Sequence, residues 1–75
     1  MLSLCELVLG GTAEIQALET CGEMRRRLLD LGFVPGAQVK PLFRGSANDP
    51  TAYLISGAVI ALRREDAAGI LVNGV

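Results

Sequence analysis

The residue types that usually carry out chemistry are sparse in this 75-residue chain. It has no histidine, and its two cysteines, Cys5 and Cys21, are too far apart in sequence to form a C-x-x-C pair. Asp49, Glu65 and Asp66 do not have the spacing of a metal-ligand set. The sequence also shows no nucleophile–base pair and no phosphate-binding loop. It therefore predicts neither an enzyme nor a cofactor site, and it assigns no metal-binding residue.

Arg25–Arg27 form a dense basic cluster. Three consecutive helical residues spread around most of a turn, so they cannot all contact one nucleic-acid groove, and no aromatic stacking platform accompanies them. A net charge of −1 also argues against nucleic-acid binding. Two interpretations remain, a partner-binding patch and a solvated helix face. On a solvated face, Glu23 would pair with Arg27 and Arg26 with Asp30 at the i,i+4 spacing.

A helix at about residues 21–31 is predicted to carry these arginines. Met24, Leu28 and Leu31 recur at i, i+4 and i+7, so they form an apolar stripe that would face the core. Leu29 follows Leu28 by about 100° around the helix axis, toward the outer flank that holds the arginines. Leu29 is therefore either a partly buried residue or an exposed contact for a partner.

Both ends of this helix carry local signals. Thr20-Cys21-Gly22-Glu23 has the T-x-x-E spacing of a capping box. Gly32 fits the left-handed position at the helix C-terminus, and Phe33 would then either pack back on the last turn, as in a Schellman motif, or stand exposed beside Val34. Pro35-Gly36 has the signature of a type II turn.

The rest of the chain is predicted to be mainly β, with five short strands. These are Thr12–Leu18, Ala37–Arg44, Thr51–Ile55, Ala58–Leu62 and Ile70–Val72. Ser56-Gly57 fits a two-residue hairpin connection. Short helical turns are expected near residues 4–7 and 64–68, the first because Ser3 and Glu6 have capping-box spacing. Tight turns and little helix favour one small, closed or partly closed five-stranded barrel over residues 1–75.

Alternation along two of the strands predicts which side chains face the barrel interior. Ala13, Ile15 and Ala17 share one face of the first strand. One face of the second strand carries Val39, Pro41 and Phe43. Since proline cannot donate a hydrogen bond to a neighbouring strand, this second strand is expected to lie at a sheet edge or to contain a bulge.

Several segments together resemble a known family. The most specific is Arg26-Arg27-Leu28-Leu29-Asp30-Leu31-Gly32-Phe33-Val34-Pro35-Gly36. Shorter blocks follow in the family's order and spacing, namely Asp49-Pro50, Ala52-Tyr53, Gly57, Ile60-Ala61-Leu62-Arg63, Asp66-Ala67 and Ile70. On these residues the chain resembles FeoA, the ferrous-iron-transport protein A family, over nearly its whole length.

The resemblance implies an SH3-like barrel with helical additions. It also implies an accessory or regulatory role in bacterial ferrous iron uptake, through protein–protein interaction with FeoB, a membrane transporter that has a cytosolic GTPase domain. Similar barrels occur in iron-dependent repressors. A sensor or carrier that binds iron or another divalent transition metal is therefore the alternative function.

The partner-binding residues predicted from the sequence are Arg25, Arg26, Leu29, Phe33 and Val34. The composition is 51% hydrophobic, more than a monomer of this size needs, so some of the apolar surface is expected to face either a partner or another copy of the chain. No apolar run approaches the ~20 residues that span a bilayer, and the N-terminus lacks the features of a secretory signal. We expect a cytoplasmic protein that reaches the inner membrane through the transporter and does not insert into the membrane itself.

Overall fold

The computed structural model describes residues 2–46 and 50–74, which form one antiparallel sheet with two helices and a 3₁₀ turn. In chain order the elements are β1 (Leu2–Ser3), the 3₁₀ turn (Leu4–Glu6), β2 (Ala13–Leu18), α1 (Gly22–Leu31), β3 (Gln38–Arg44), β4 (Thr51–Ile55), β5 (Ala58–Leu62), α2 (Arg64–Ala67) and β6 (Ile70–Gly74). The strand order across the sheet is β1-β6-β2-β3-β4-β5. The two-residue β1 was not predicted, because it is too short to show alternation. Asp49 lies outside the described residues.

The sheet curls around a single core. Every strand from β2 to β6 contributes to this core, as do both helices and the 3₁₀ turn. The buried side chains are Leu4, Ala13, Ile15, Leu28, Phe33, Val39, Tyr53, Ile55, Leu62, Ala67, Ile70 and Val72. Neighbouring strands lie about 4.8 Å apart, so a flat sheet of this width would not bring its two ends to one cluster. With β1 and β5 as its outer strands, the sheet is a partly closed barrel.

Two β-bulges change which side chains face the core. In β2 the register on β6 shifts between Ile15 and Ala17, so Leu18, rather than Ala17, packs against the core. In β3 the register on β4 shifts between Pro41 and Phe43, which leaves Phe43 62% exposed. One extra residue reverses the face of every residue that follows it. The inward positions predicted for Ala17 and Phe43 are therefore wrong, whereas the bulge anticipated near Pro41 is confirmed.

The predicted tight turns are both confirmed. At Pro35-Gly36, the Ala37 N–H donates to the Val34 carbonyl at 3.0 Å, and Gly36 has φ +93°, as a type II turn requires. Ser56-Gly57 joins β4 to β5 with φ values of +51° and +79°. Positive φ at both central residues is the type I′ geometry that matches the twist of a hairpin.

The two predicted capping boxes have opposite outcomes. Before the 3₁₀ turn, the Ser3 N–H donates to Glu6 Oε1 at 3.1 Å, and this hydrogen bond lowers the pKa of the Glu6 carboxyl. At α1, by contrast, Cys21 is the N-cap residue, and Thr20 Oγ1 is buried without a hydrogen-bond partner. The capping box predicted at Thr20 is therefore wrong. Thr20 is instead packed against the backbone of Gly69, where a Cβ atom would come within 2.5 Å of Thr20 Cγ2.

The C-terminus of α1 is a Schellman motif. The Phe33 N–H donates to the Leu28 carbonyl at 3.0 Å, and the Gly32 N–H donates to the Leu29 carbonyl at 3.1 Å. Gly32 has φ +108°, and the Phe33 side chain is fully buried in the core. The helix end predicted from the sequence is confirmed.

We expect Gly32→Ala to lower the free energy of unfolding by about 1–2 kcal/mol, because alanine is strained in the left-handed region. Its Cβ would also lie only 3.1 Å from Ser56 Oγ. Gly74→Ala is the matched control, since Gly74 has open space around it and no positive φ. Urea unfolding followed by circular dichroism measures both variants. Equal unfolding midpoints for the two would contradict the predicted role of Gly32.

We expect Gly69→Ala to destabilise the fold by about 1–3 kcal/mol, the usual cost of overpacking. The added methyl group would overlap Thr20 Cγ2, and Thr20→Ser removes that atom. The double variant should therefore recover most of the loss. A double-mutant cycle on the free energy of unfolding tests this coupling, and strictly additive losses would show that the two residues do not compete for space.

Candidate partner-binding surface

The apolar stripe of α1 faces the barrel as predicted. Leu28 is buried in the core, and Met24 and Leu31 are partly buried against it. The α1 backbone comes close to the strands at few points, so side chains make most of the contact between helix and barrel. The arginine-bearing side of α1 faces outward.

The ion pairs predicted within α1 do not form. Glu23 is not within 4.0 Å of Arg27, nor is Arg26 within that distance of Asp30, and the ion pairs in the described part of the chain belong to Arg63. All three arginines of the cluster are exposed. A surface pair gains little in water and restricts two long side chains, so its absence costs little. The positive charge of the cluster is consequently available to carboxylates of another molecule.

Four of the five predicted contact residues are accessible. Arg25 and Arg26 are exposed, Leu29 is half-buried and Val34 is 39% exposed. Arg25 and Leu29 are neighbours one turn apart on the helix surface. We call these four residues the outer α1 surface. Phe33 does not belong to it, because its side chain lies in the core and cannot contact a partner.

A groove of about 370 Å³ separates α1 from β5, and we call it the α1–β5 groove. Its lining residues are Met24, Arg27, Leu28, Leu31, Val59, Ile60, Ala61, Leu62, Arg63 and Asp66. The groove was not predicted from the sequence, because it forms only when the chain folds and brings β5 beside α1. The available signal was the composition of Ala58–Leu62, a strand without a single charged residue.

An apolar patch covers the outer face of the β4–β5 hairpin. Leu54 and Val59 are directly opposite each other and are 37% and 57% exposed. Phe43 is brought to this face by the bulge in β3 and is opposite Ala52. Antiparallel partners that are directly opposite share a face of the sheet. The patch thus continues from the outer face toward the free edge of β5.

The described residues contain no cluster of three or more His, Cys, Asp or Glu side chains that could hold a metal ion. Cys5 and Cys21 are both unpaired thiols. Cys5 Sγ lies 3.2 Å from Ser3 Oγ, and Cys21 is exposed at the start of α1. In the described ranges no helix has the length and hydropathy needed to cross a bilayer.

Comparison with known sequences identifies the family. The FeoA domain family matches residues 2–74 of the chain. The chain is also 39% identical over 72 residues to the Fe(2+) transport protein A/Fe(2+) transporter FeoB fusion protein of Porphyromonas gingivalis. This match covers 96% of the chain but only 8% of the fusion protein.

Solved structures of the same family share the fold. The FeoA protein from Chlorobium tepidum is 36% identical with a TM-score of 0.91, over 99% of this chain and 70% of that one. FeoA of Stenotrophomonas maltophilia, described as a procaryotic SH3 domain protein and complexed with zinc, is 27% identical with a TM-score of 0.85, over 97% and 91% of the two chains. The barrel is thus SH3-like, as the resemblance implied. Because the family match spans almost the whole sequence, the chain belongs to the FeoA domain family.

Proposed function

We propose that this protein is an accessory factor of bacterial ferrous iron uptake that binds the cytosolic part of a FeoB-type membrane transporter. The observation that carries the proposal is the Porphyromonas gingivalis relative, in which a region matching 96% of this chain is fused to the transporter. A covalent link holds two domains at high effective concentration. Such a fusion supports association between the same two domains when they are separate chains.

The outer α1 surface has the composition of a protein-binding site. Interface cores are rich in apolar and arginine side chains, and their energy is concentrated in a few of them. Leu29 would supply the apolar contact, and Arg25 and Arg26 would pair with carboxylates of the transporter. Among the described residues, neither arginine has a carboxylate within 4.0 Å, so no ion pair in this part of the chain has to break before they bind.

In this proposal the protein acts by binding alone. It binds at the inner face of the membrane, where the transporter's cytosolic domains lie. The side chains of the outer α1 surface are two arginines and two aliphatic residues, which recognise and orient a partner. In this proposal the protein influences uptake by changing the conformation or assembly of the transporter, and it catalyses no reaction itself.

The test is the affinity of this protein for the purified cytosolic domains of the transporter, measured by calorimetry. Two variants are compared with the wild type: the double variant Arg25→Glu/Arg26→Glu and the single variant Leu29→Asp. Both should weaken binding by about tenfold or more, because they introduce carboxylates at the contact. Uptake of labelled ferrous iron should fall in cells that carry either variant.

Lys40→Glu combined with Arg44→Glu is the matched control, since it makes the same charge change on β3. Thermal unfolding confirms that every variant is folded. If both α1 variants bind and support uptake as the wild type does, the outer α1 surface is not the contact. If the wild type itself does not bind, the proposed function is wrong.

A further inference from the structure

The edge of β5 that faces the α1–β5 groove is unprotected. In the part of the chain that the structure describes, β5 is the last strand of the sheet and pairs with β4 alone. Proteins usually guard a free edge with charged residues, proline, a bulge or a covering helix or loop, and here the groove separates α1 from the edge. Ala58–Leu62 contains no charged residue and no proline, and its pairing with β4 runs without a register shift. The edge can therefore accept another strand.

The register of the hairpin identifies the backbone groups that such a strand would use. Ala58 follows the two-residue turn directly, so it exchanges hydrogen bonds with β4, and Ile60 and Leu62 repeat this at every second residue. The N–H and C=O groups of Val59 and Ala61 must then point away from β4. Both residues line the groove, which leaves four backbone groups directed at it.

The groove also has an apolar floor. Met24 and Leu31 approach it from α1, and Ile60 approaches it from β5, all three partly buried. Because the α1 backbone comes close to the strands at few points, space remains between the helix and the edge. At about 3.4 Å per residue, the five residues of β5 match an extended segment about 17 Å long.

The unpaired charge at the rim of the groove is positive. Arg63 and Asp66 both line the groove and already pair with each other at 3.8 Å. Arg27 lines the opposite side from α1 and is exposed, and no carboxylate in residues 2–46 and 50–74 lies within 4.0 Å of it. A segment that complements this rim would carry a carboxylate opposite Arg27.

We propose that the α1–β5 groove binds an extended segment of the transporter's cytosolic part, which adds to β5 as a further antiparallel or parallel strand. The segment alternates apolar residues, which contact the groove floor, with polar residues that include an aspartate or glutamate paired with Arg27. Strand addition draws affinity from main-chain hydrogen bonds and specificity from alternate side chains. This inference rests on the proposed function, because it takes the same partner.

Val59→Pro and Arg27→Glu test the inference against the purified cytosolic domains of the transporter. The proline removes the outward N–H of Val59 and leaves the β4 hydrogen bonds in place, whereas the control Val59→Thr keeps that N–H. Arg64→Glu is the charge control, since Arg64 is exposed on α2 and does not line the groove. We expect about tenfold weaker binding for each test variant and less than about twofold change for each control.

Hydrogen exchange of the wild-type complex provides a second measurement that does not depend on any variant. The amides of Val59 and Ala61 should exchange more slowly once the cytosolic domains are bound. Peptides of 15 residues that tile those domains should then identify one bound segment with the alternating, acidic pattern.

Three outcomes overturn the inference. In the first, the Val59→Pro and Arg27→Glu variants bind with wild-type affinity, and the amides of Val59 and Ala61 exchange at the same rate with and without the partner. This result would exclude strand addition at β5 and leave the proposed function intact. In the second, these amides exchange slowly even without the transporter, and sedimentation detects a dimer that Val59→Pro abolishes. This result would show that a second copy of this chain occupies the edge. If the wild type does not bind the cytosolic domains at all, the proposed function and this inference both fail.

Discussion

The burial of Phe33 directly after a left-handed glycine is the constraint on which the rest of the structure depends. Gly32 ends α1 and turns the chain, and Phe33 then enters the core beside Leu28. A helix has a fixed angular period, so anchoring these two positions determines where every other side chain of α1 points. The exposure of Arg25 and the half-burial of Leu29 follow from that anchor.

The same anchor gives α1 two different accessible sides. Its outward side presents arginines and an aliphatic residue, and its flank next to β5 borders a groove with an unpaired strand edge. Arg26 and Arg27 are adjacent residues that belong to the outer surface and to the groove respectively. One partner could therefore contact both, with a folded domain on the helix and an extended segment at the edge. The barrel itself would act as a rigid support.

Local signals predicted the features that depend on a few neighbouring residues. The Schellman motif, the type II turn and the hairpin at Ser56-Gly57 follow from φ preferences, which tertiary contacts rarely override. The capping box at Thr20 does not form: α1 begins one residue later than the box requires, with Cys21 as its N-cap, and Thr20 packs against Gly69 from a distant part of the chain. The exposure of Phe43 depends on a bulge that Pro41 indicated, but the sequence did not show which later side chains the bulge would turn outward. The α1–β5 groove depends on sheet order, and the uncharged composition of β5 did not show that α1 would lie beside it. The proposed function follows from the resemblance to the FeoA family and not from the alternation of apolar and polar residues.

We propose that α1 and the edge of β5 together form the contact with the transporter. Amide chemical-shift changes across the labelled protein, recorded while the transporter's cytosolic domains are added, test this contact. We expect the largest changes on α1 and β5, with β1, β6 and the adjoining half of β2 nearly unchanged. The largest changes on β1 and β6, with α1 and β5 unperturbed, would contradict it.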